Sequence, residues 1–133
     1  MKKIGFILST ALIIMLAFCA CKKEPGSGGS SSIYGKVFVR DYNATFTTFM
    51  GAYYGQDVDV YIIYGDEKTY GDKVKTSYDG TYEFKYLRPG IYHIYAYSKD
   101  STLQTPALIP KIADVEITKN RQEVETPEIV IFN

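Results

Sequence analysis

"TSYDGTYEFKYLRPGIYHIYAY" (76–97) decides how the rest of the chain is read. Asp79-Gly80 is a hairpin turn signal, because glycine reaches positive φ without steric cost. "TYEFKYL" (81–87) then sets Tyr82 and Phe84 against Glu83 and Lys85, a period of two. Arg88-Pro89-Gly90 turns the chain again. In "IYHIYAYS" (91–98), Tyr92, Ile94 and Ala96 fall on one face, and Ile91, His93, Tyr95 and Tyr97 on the other. Both runs are β-strands by this pattern, with one apolar face each.

The same pattern continues outward. Upstream, "IYGKVFVRD" (33–41), "DVDVYIIY" (57–64) and "KVKTSY" (73–78) read as strands, with "GDEK" (65–68) as a turn. Downstream, "IADVEIT" (112–118) and "VETPEIVIF" (124–132) are two more, joined by the polar turn 119–122, while "STLQTPALIP" (101–110) reads as a loop. Pro127 cannot donate to a ladder, so the start of the last strand belongs at an edge or a bulge. Short strands separated by turns, with no crossover helix, predict an all-β fold, a seven-stranded antiparallel sandwich. Its expected core gathers Val37, Val39, Val58, Val60, Ile62, Phe84, Leu87, Tyr92, Ile94, Ala96, Val115, Ile117, Ile129 and Ile131.

Thr76, Asp79, Gly80, Tyr82, Phe84, Leu87, Pro89, Gly90, Tyr92 and Ala96 also match a known pattern: Thr, a polar gap, Asp-Gly, aromatic-x-aromatic, Leu, Pro-Gly, x-Tyr and a small residue. This resembles the transthyretin-like domains of the carboxypeptidase regulatory type. "IYGKVFVRD" is similar to that family's first strand, with Gly35 in its usual place, and "GQDVDVYI" stands where the family has "GATVTV". The resemblance covers residues 33–133. It implies a prealbumin-like Greek-key sandwich, a pairing of strand 57–64 with strand 91–98, and a non-catalytic accessory module, since fold alone does not assign function.

The N-terminus is of another kind. Met1-Lys2-Lys3 is a positive n-region, and residues 4–18 are almost wholly apolar. That run falls short of the about 20 residues a spanning helix needs and suits a secretion signal helix. An ordinary signal peptidase requires small residues one and three before the cut; a lipoprotein peptidase requires a small residue directly before a cysteine. "LAFCAC" (16–21) resembles a bacterial lipobox with Ala20 before Cys21, although Phe18 stands where leucine is commoner. The expected division is a lipoprotein signal peptide at 1–20, a lipidated Cys21 and flexible linker at 21–32, and the sandwich at 33–133. An uncleaved anchor helix is the alternative. Lys22-Lys23-Glu24 resembles the export signals of Bacteroidetes surface lipoproteins, which are usually richer in acid. The implied location is the outer membrane, on the cell surface or the periplasmic face. Several acyl chains on one cysteine give firm anchoring, at about 0.8 kcal/mol per buried methylene. The two cysteines, Cys19 and Cys21, are then parted by cleavage and form no disulfide.

Fifteen basic residues balance fifteen acidic ones, which gives no pull toward nucleic acid. His93 is the only histidine, and no Ser-His-Asp or Cys-His set assembles around it. No calcium-loop spacing occurs, and no cofactor is expected. Two surfaces are candidates for binding. If strands 57–64 and 91–98 pair, Tyr61, Ile63, His93, Tyr95 and Tyr97 share one outward face, suited to a sugar or a protein partner; tyrosines there also stabilise a sheet simply as cross-strand pairs. The second candidate is "NATFTTFMGAYYG" (43–55), whose Phe46, Phe49, Met50, Tyr53 and Tyr54 either fold back on the core or present a surface. The expectation is a lipid-anchored, non-catalytic envelope module that binds a surface glycan or an envelope protein, or else a structural spacer in an envelope complex.

Overall fold

The computed structural model describes residues 23–133. The expected signal segment 1–20 and the expected lipidation site Cys21 lie outside the described residues. Those described form nine strands and no helix: β1 (Ser27–Tyr42), β2 (Phe49–Tyr54), β3 (Asp59–Tyr64), β4 (Asp72–Lys75), β5 (Thr81–Leu87), β6 (Gly90–Ser98), β7 (Ile109–Ile117), β8 (Glu123–Glu125) and β9 (Ile129–Phe132). One sheet runs β4-β3-β6-β7, antiparallel throughout. The other is built on β1. Along one side β1 pairs antiparallel with β5 and then β2; along the other it pairs parallel with β8 and then β9. The two apolar faces meet in one core, where Ile33, Val37, Val60, Ile62, Tyr92, Ile94 and Ala96 are fully buried.

Every run expected to be a strand contains one, although β4 stops at Lys75 and β7 starts at Ile109, inside the expected loop 101–110; β3 does pair with β6. Two differences raise seven to nine. The last run is broken at Thr126-Pro127, because Thr126 turns inward, 6% exposed, to hydrogen-bond the Tyr82 hydroxyl (2.5 Å) and the Tyr34 carbonyl (3.3 Å). The segment 43–55 adds β2, which continues the sheet past the end of β5. The sheets are also not wholly antiparallel. β7 delivers the chain to the end of the sandwich where β1 begins, so β8 and β9 run beside β1 in its own direction.

The expected linker at 21–32 is the main correction. Ser27–Ser32 belongs to β1, and Ser31 and Ser32 are buried. The Gly26 amide donates to the Tyr92 hydroxyl (2.9 Å), and the Arg88 amide donates to the Gly26 carbonyl (2.9 Å). Ser27 and Ser31 both lie opposite Leu87, so Gly28-Gly29-Ser30 is a bulge. A Cβ on Gly29 would overlap the Leu87 carbonyl. Gly29, which reads as flexibility, is there for close approach.

The residues carrying the family-like pattern are used up by the fold. The Thr76 hydroxyl donates to the Gly55 carbonyl (2.5 Å) and accepts from the Val58 amide (2.9 Å). Asp79 accepts from the Ser77 hydroxyl (2.6 Å) and the Thr81 amide (3.2 Å), and Gly80 sits at φ 80°. Tyr92 donates to the Arg88 carbonyl (2.6 Å). Gly35 leaves room for the Tyr82–Thr126 pair that packs across it.

The sandwich therefore has two ends. The base holds Pro25, the turn 65–67, the Arg88-Pro89-Gly90 turn and the β7–β8 turn. The tip holds the end of β1, the turn 43–48, the loop 99–108 and Asn133, whose carbonyl accepts from Tyr42.

Candidate functional site

The predicted tyrosine face exists, and it is closed. Cross-strand register sets Tyr61 opposite Tyr95 and Ile63 opposite His93. The Tyr61 and Tyr95 rings stack at 5.0 Å and 11°, and Tyr97 meets both edge-on, at 5.6 and 5.5 Å. Tyr70, from the β3–β4 connection, covers Tyr61 from another side at 5.0 Å. Tyr95 is left 9% exposed. Its burial, then its hydrogen bond to Tyr97, pushes the hydroxyl up to about 12. The faces a sugar would stack on are thus occupied by other rings for Tyr61 and Tyr95, while Tyr97 and Tyr70 remain exposed. Tyr70 was missed because it lies in a turn, outside any strand alternation.

His93 lies opposite Asp114 on the neighbouring strand, with Nδ1 2.5 Å from Oδ1. That is its one hydrogen-bond partner among the described residues. Among the described residues no group of three or more His, Cys, Asp or Glu is placed to hold a metal ion.

The 43–55 segment stands outward as an edge. Phe49 is 56% and Met50 66% exposed, and Tyr53 and Tyr54 are exposed beside them. Phe46, held at φ 54°, packs with Tyr42 (5.6 Å) and Phe132 (6.3 Å), and Tyr42 touches Phe49 (5.4 Å). Tyr54 lies against Phe38 (5.2 Å) under the Lys36 ammonium (4.7 Å), and a hydrogen bond to Glu128 raises its hydroxyl pKa. Of the two expectations for this segment, Phe46 follows the first and folds back; Phe49, Met50, Tyr53 and Tyr54 follow the second.

The loop 99–108 meets this segment at the tip. The buried Asp100 carboxylate gathers the amides of Thr102 (2.9 Å), Gln104 (3.1 Å) and Thr105 (3.1 Å) and the Thr102 hydroxyl (2.6 Å), which together hold its pKa low. Fixed in this way, the loop presents exposed Leu103, at φ 57°, and Leu108. A cavity of about 250 Å³ lies between Phe46 and Leu103. A second groove of about 270 Å³ draws on both predicted surfaces; Tyr53, Gln56, Tyr97, Lys99 and Asn133 are among its lining residues. The sequence offered only a weak signal for this meeting: two leucines in an otherwise polar, proline-containing loop.

No family model matches this chain, and no curated protein matches it in sequence. Among solved structures it is similar to "a putative carbohydrate binding protein" of Pseudomonas aeruginosa, with a TM-score of 0.48 and 12% identity over 81% of this chain and 91% of that one. A likeness this distant says nothing of ligand or site.

Proposed function

We propose that this chain is a non-catalytic, lipid-anchored module of the bacterial outer membrane, displayed on the cell surface or the periplasmic face, that binds a glycan at its tip. The observation that carries this reading is the groove between Tyr53 and Tyr97. Two exposed tyrosines line it together with an amide (Gln56), a cation (Lys99) and Asn133, the mixture of apolar platform and polar groups that a sugar requires. The resemblance to transthyretin-like accessory domains, with Greek-key connections, is part of the same proposal, as are cleavage before Cys21 and its acylation.

The test is a glycan array with the mature chain, followed by Tyr53→Ala and Tyr97→Ala. Binding that is lost in both variants while the melting temperature holds supports the groove. No binding at millimolar sugar removes the glycan reading.

A second reading rests on the exposed Phe49, Met50, Leu103 and Leu108, gathered at the end opposite Pro25. Apolar residues so placed fit an envelope protein as partner. Crosslinking in whole cells from a photoreactive residue at Met50 separates this from a plain spacer, which captures no defined partner there.

A further inference from the structure

At the base of the sandwich lies a cavity of about 710 Å³, lined by Lys23, Gly28, Arg88, Glu116, Thr118 and Asn120 among others. Arg88 is half-buried and makes no ion pair among the described residues. Its Nε is buried with no hydrogen-bond partner, and its terminal nitrogens lie near Gly26 and Gly28; a Cβ on Gly26 would come within 3.1 Å of Nη2. A cation held partly out of water with nothing opposite it is costly, and an oxyanion able to accept a bidentate pair relieves that cost. Lys119 and Arg121 stand on the turn that closes the cavity, which is fastened to β1 by Ser31 Oγ donating to the Lys119 carbonyl (2.9 Å) and by the Arg121 amide donating to Ser30 Oγ (3.1 Å). Acidic Glu24, Asp66 and Glu67 line a separate groove on the other side of Pro25. These acids of the base lie in a different groove from Lys23 and Arg88, whereas Glu116 shares theirs.

Position narrows the choice of anion. Lys23, on the cavity wall, is two residues from Cys21, so their Cα atoms are at most about 7 Å apart. We propose that this cavity is a binding site for the phosphate of a membrane lipid headgroup, taken by Arg88 with Lys23, in the bilayer that holds the Cys21 anchor. The site rests on the lipid-anchor reading above and adds to it. The acyl chains hold the domain to the membrane, and Arg88 sets which end faces it. The groove between Tyr53 and Tyr97 is then turned away from the bilayer.

The test uses the full mature chain with its native anchor, placed in phosphatidylglycerol vesicles, in phosphate-free digalactosyldiacylglycerol vesicles, and in dodecyl maltoside micelles, with hydrogen exchange followed by mass spectrometry. Peptides over 26–30 and 118–121 are expected to exchange roughly tenfold more slowly in phospholipid than in galactolipid, with the tip peptide 44–50 unchanged. Arg88→Gln abolishes the difference. Lys23→Gln, at an exposed position the fold does not need, reduces it. Equal protection in both bilayers, or full protection in Arg88→Gln, overturns the site. Millimolar inorganic phosphate in micelles reproducing the whole effect also overturns it, in favour of a soluble anion. Intact mass taken beforehand keeps the two proposals apart: a chain without acyl groups removes the anchor reading and this one with it, whereas an acylated chain with no protection removes this one alone.

Discussion

Gly35 is a residue at which one added carbon matters. A Cβ there would overlap Thr126 Oγ1 and crowd the Tyr82 hydroxyl at 2.6 Å. Gly35→Ala is expected to cost about 1–3 kcal/mol in urea unfolding, as overpacked cores do. Asp79 gives a pH signature. The Ser77 hydroxyl first, then Thr81 and Lys36, lower its carboxyl to about 2. A folded-state pKa below the unfolded one contributes stability that is complete above about pH 4 and fades as pH falls toward 2. Asp79→Asn should flatten that limb of the stability–pH curve, and an unchanged limb would show that the carboxylate contributes nothing. The tyrosine cluster divides in the same residue-by-residue way. Tyr95→Ala removes a buried, stacked ring and should destabilise by about 3 kcal/mol, yet leave glycan affinity alone. Tyr97→Ala should do the reverse.

At the scale of elements, β1 carries most of what composition concealed. Removing residues 23–29 deletes the Gly26–Tyr92 and Gly26–Arg88 hydrogen bonds and the packing of Pro25 on Gly90. A chain starting at Ser30 should lose about 2–3 kcal/mol relative to one starting at Lys23, with net hydrogen bonds near 1 kcal/mol each. Equal midpoints in denaturant would falsify the role given to this segment. The contrast with the other strands explains what a sequence can convey. Alternation placed β3, β5, β6 and β7 because each strand of a sandwich hides one face, and a period of two survives in the letters. "PGSGGSSS" has no such period. Its strand is made by distant partners, Leu87, Gln122 and Glu123, that no local pattern names. The tyrosine face shows the same limit. Register could bring Tyr61 and Tyr95 together, but not tell that their rings would close on each other. The groove at the tip depends on the loop 99–108 arriving beside β2, and Asp100, which shapes that loop, belongs to no motif that the sequence marks.

At the scale of the molecule, a fold that begins at Pro25 leaves three residues between it and Cys21, at most about 14 Å of chain. Inserting a flexible Gly-Ser segment after Lys23 should leave the melting temperature unchanged and erase the slow exchange at the base, because the headgroup site is then no longer held at the bilayer. The proposed anchor and the proposed ligand lie toward opposite ends of β1, whose 16 residues span up to about 50 Å. A cell held by its glycan would pull on this one strand lengthwise. β1 is bonded to β5 and β2 on one flank and to β8 and β9 on the other, so its hydrogen bonds lie across the line of pull and share the load together instead of opening one by one. Tension applied between residue 23 and the tip should meet far greater resistance than the same force applied across the β3–β4 hairpin, in single-molecule extension. The parallel run of β8 and β9 beside β1 thus makes the domain a strut as well as a platform.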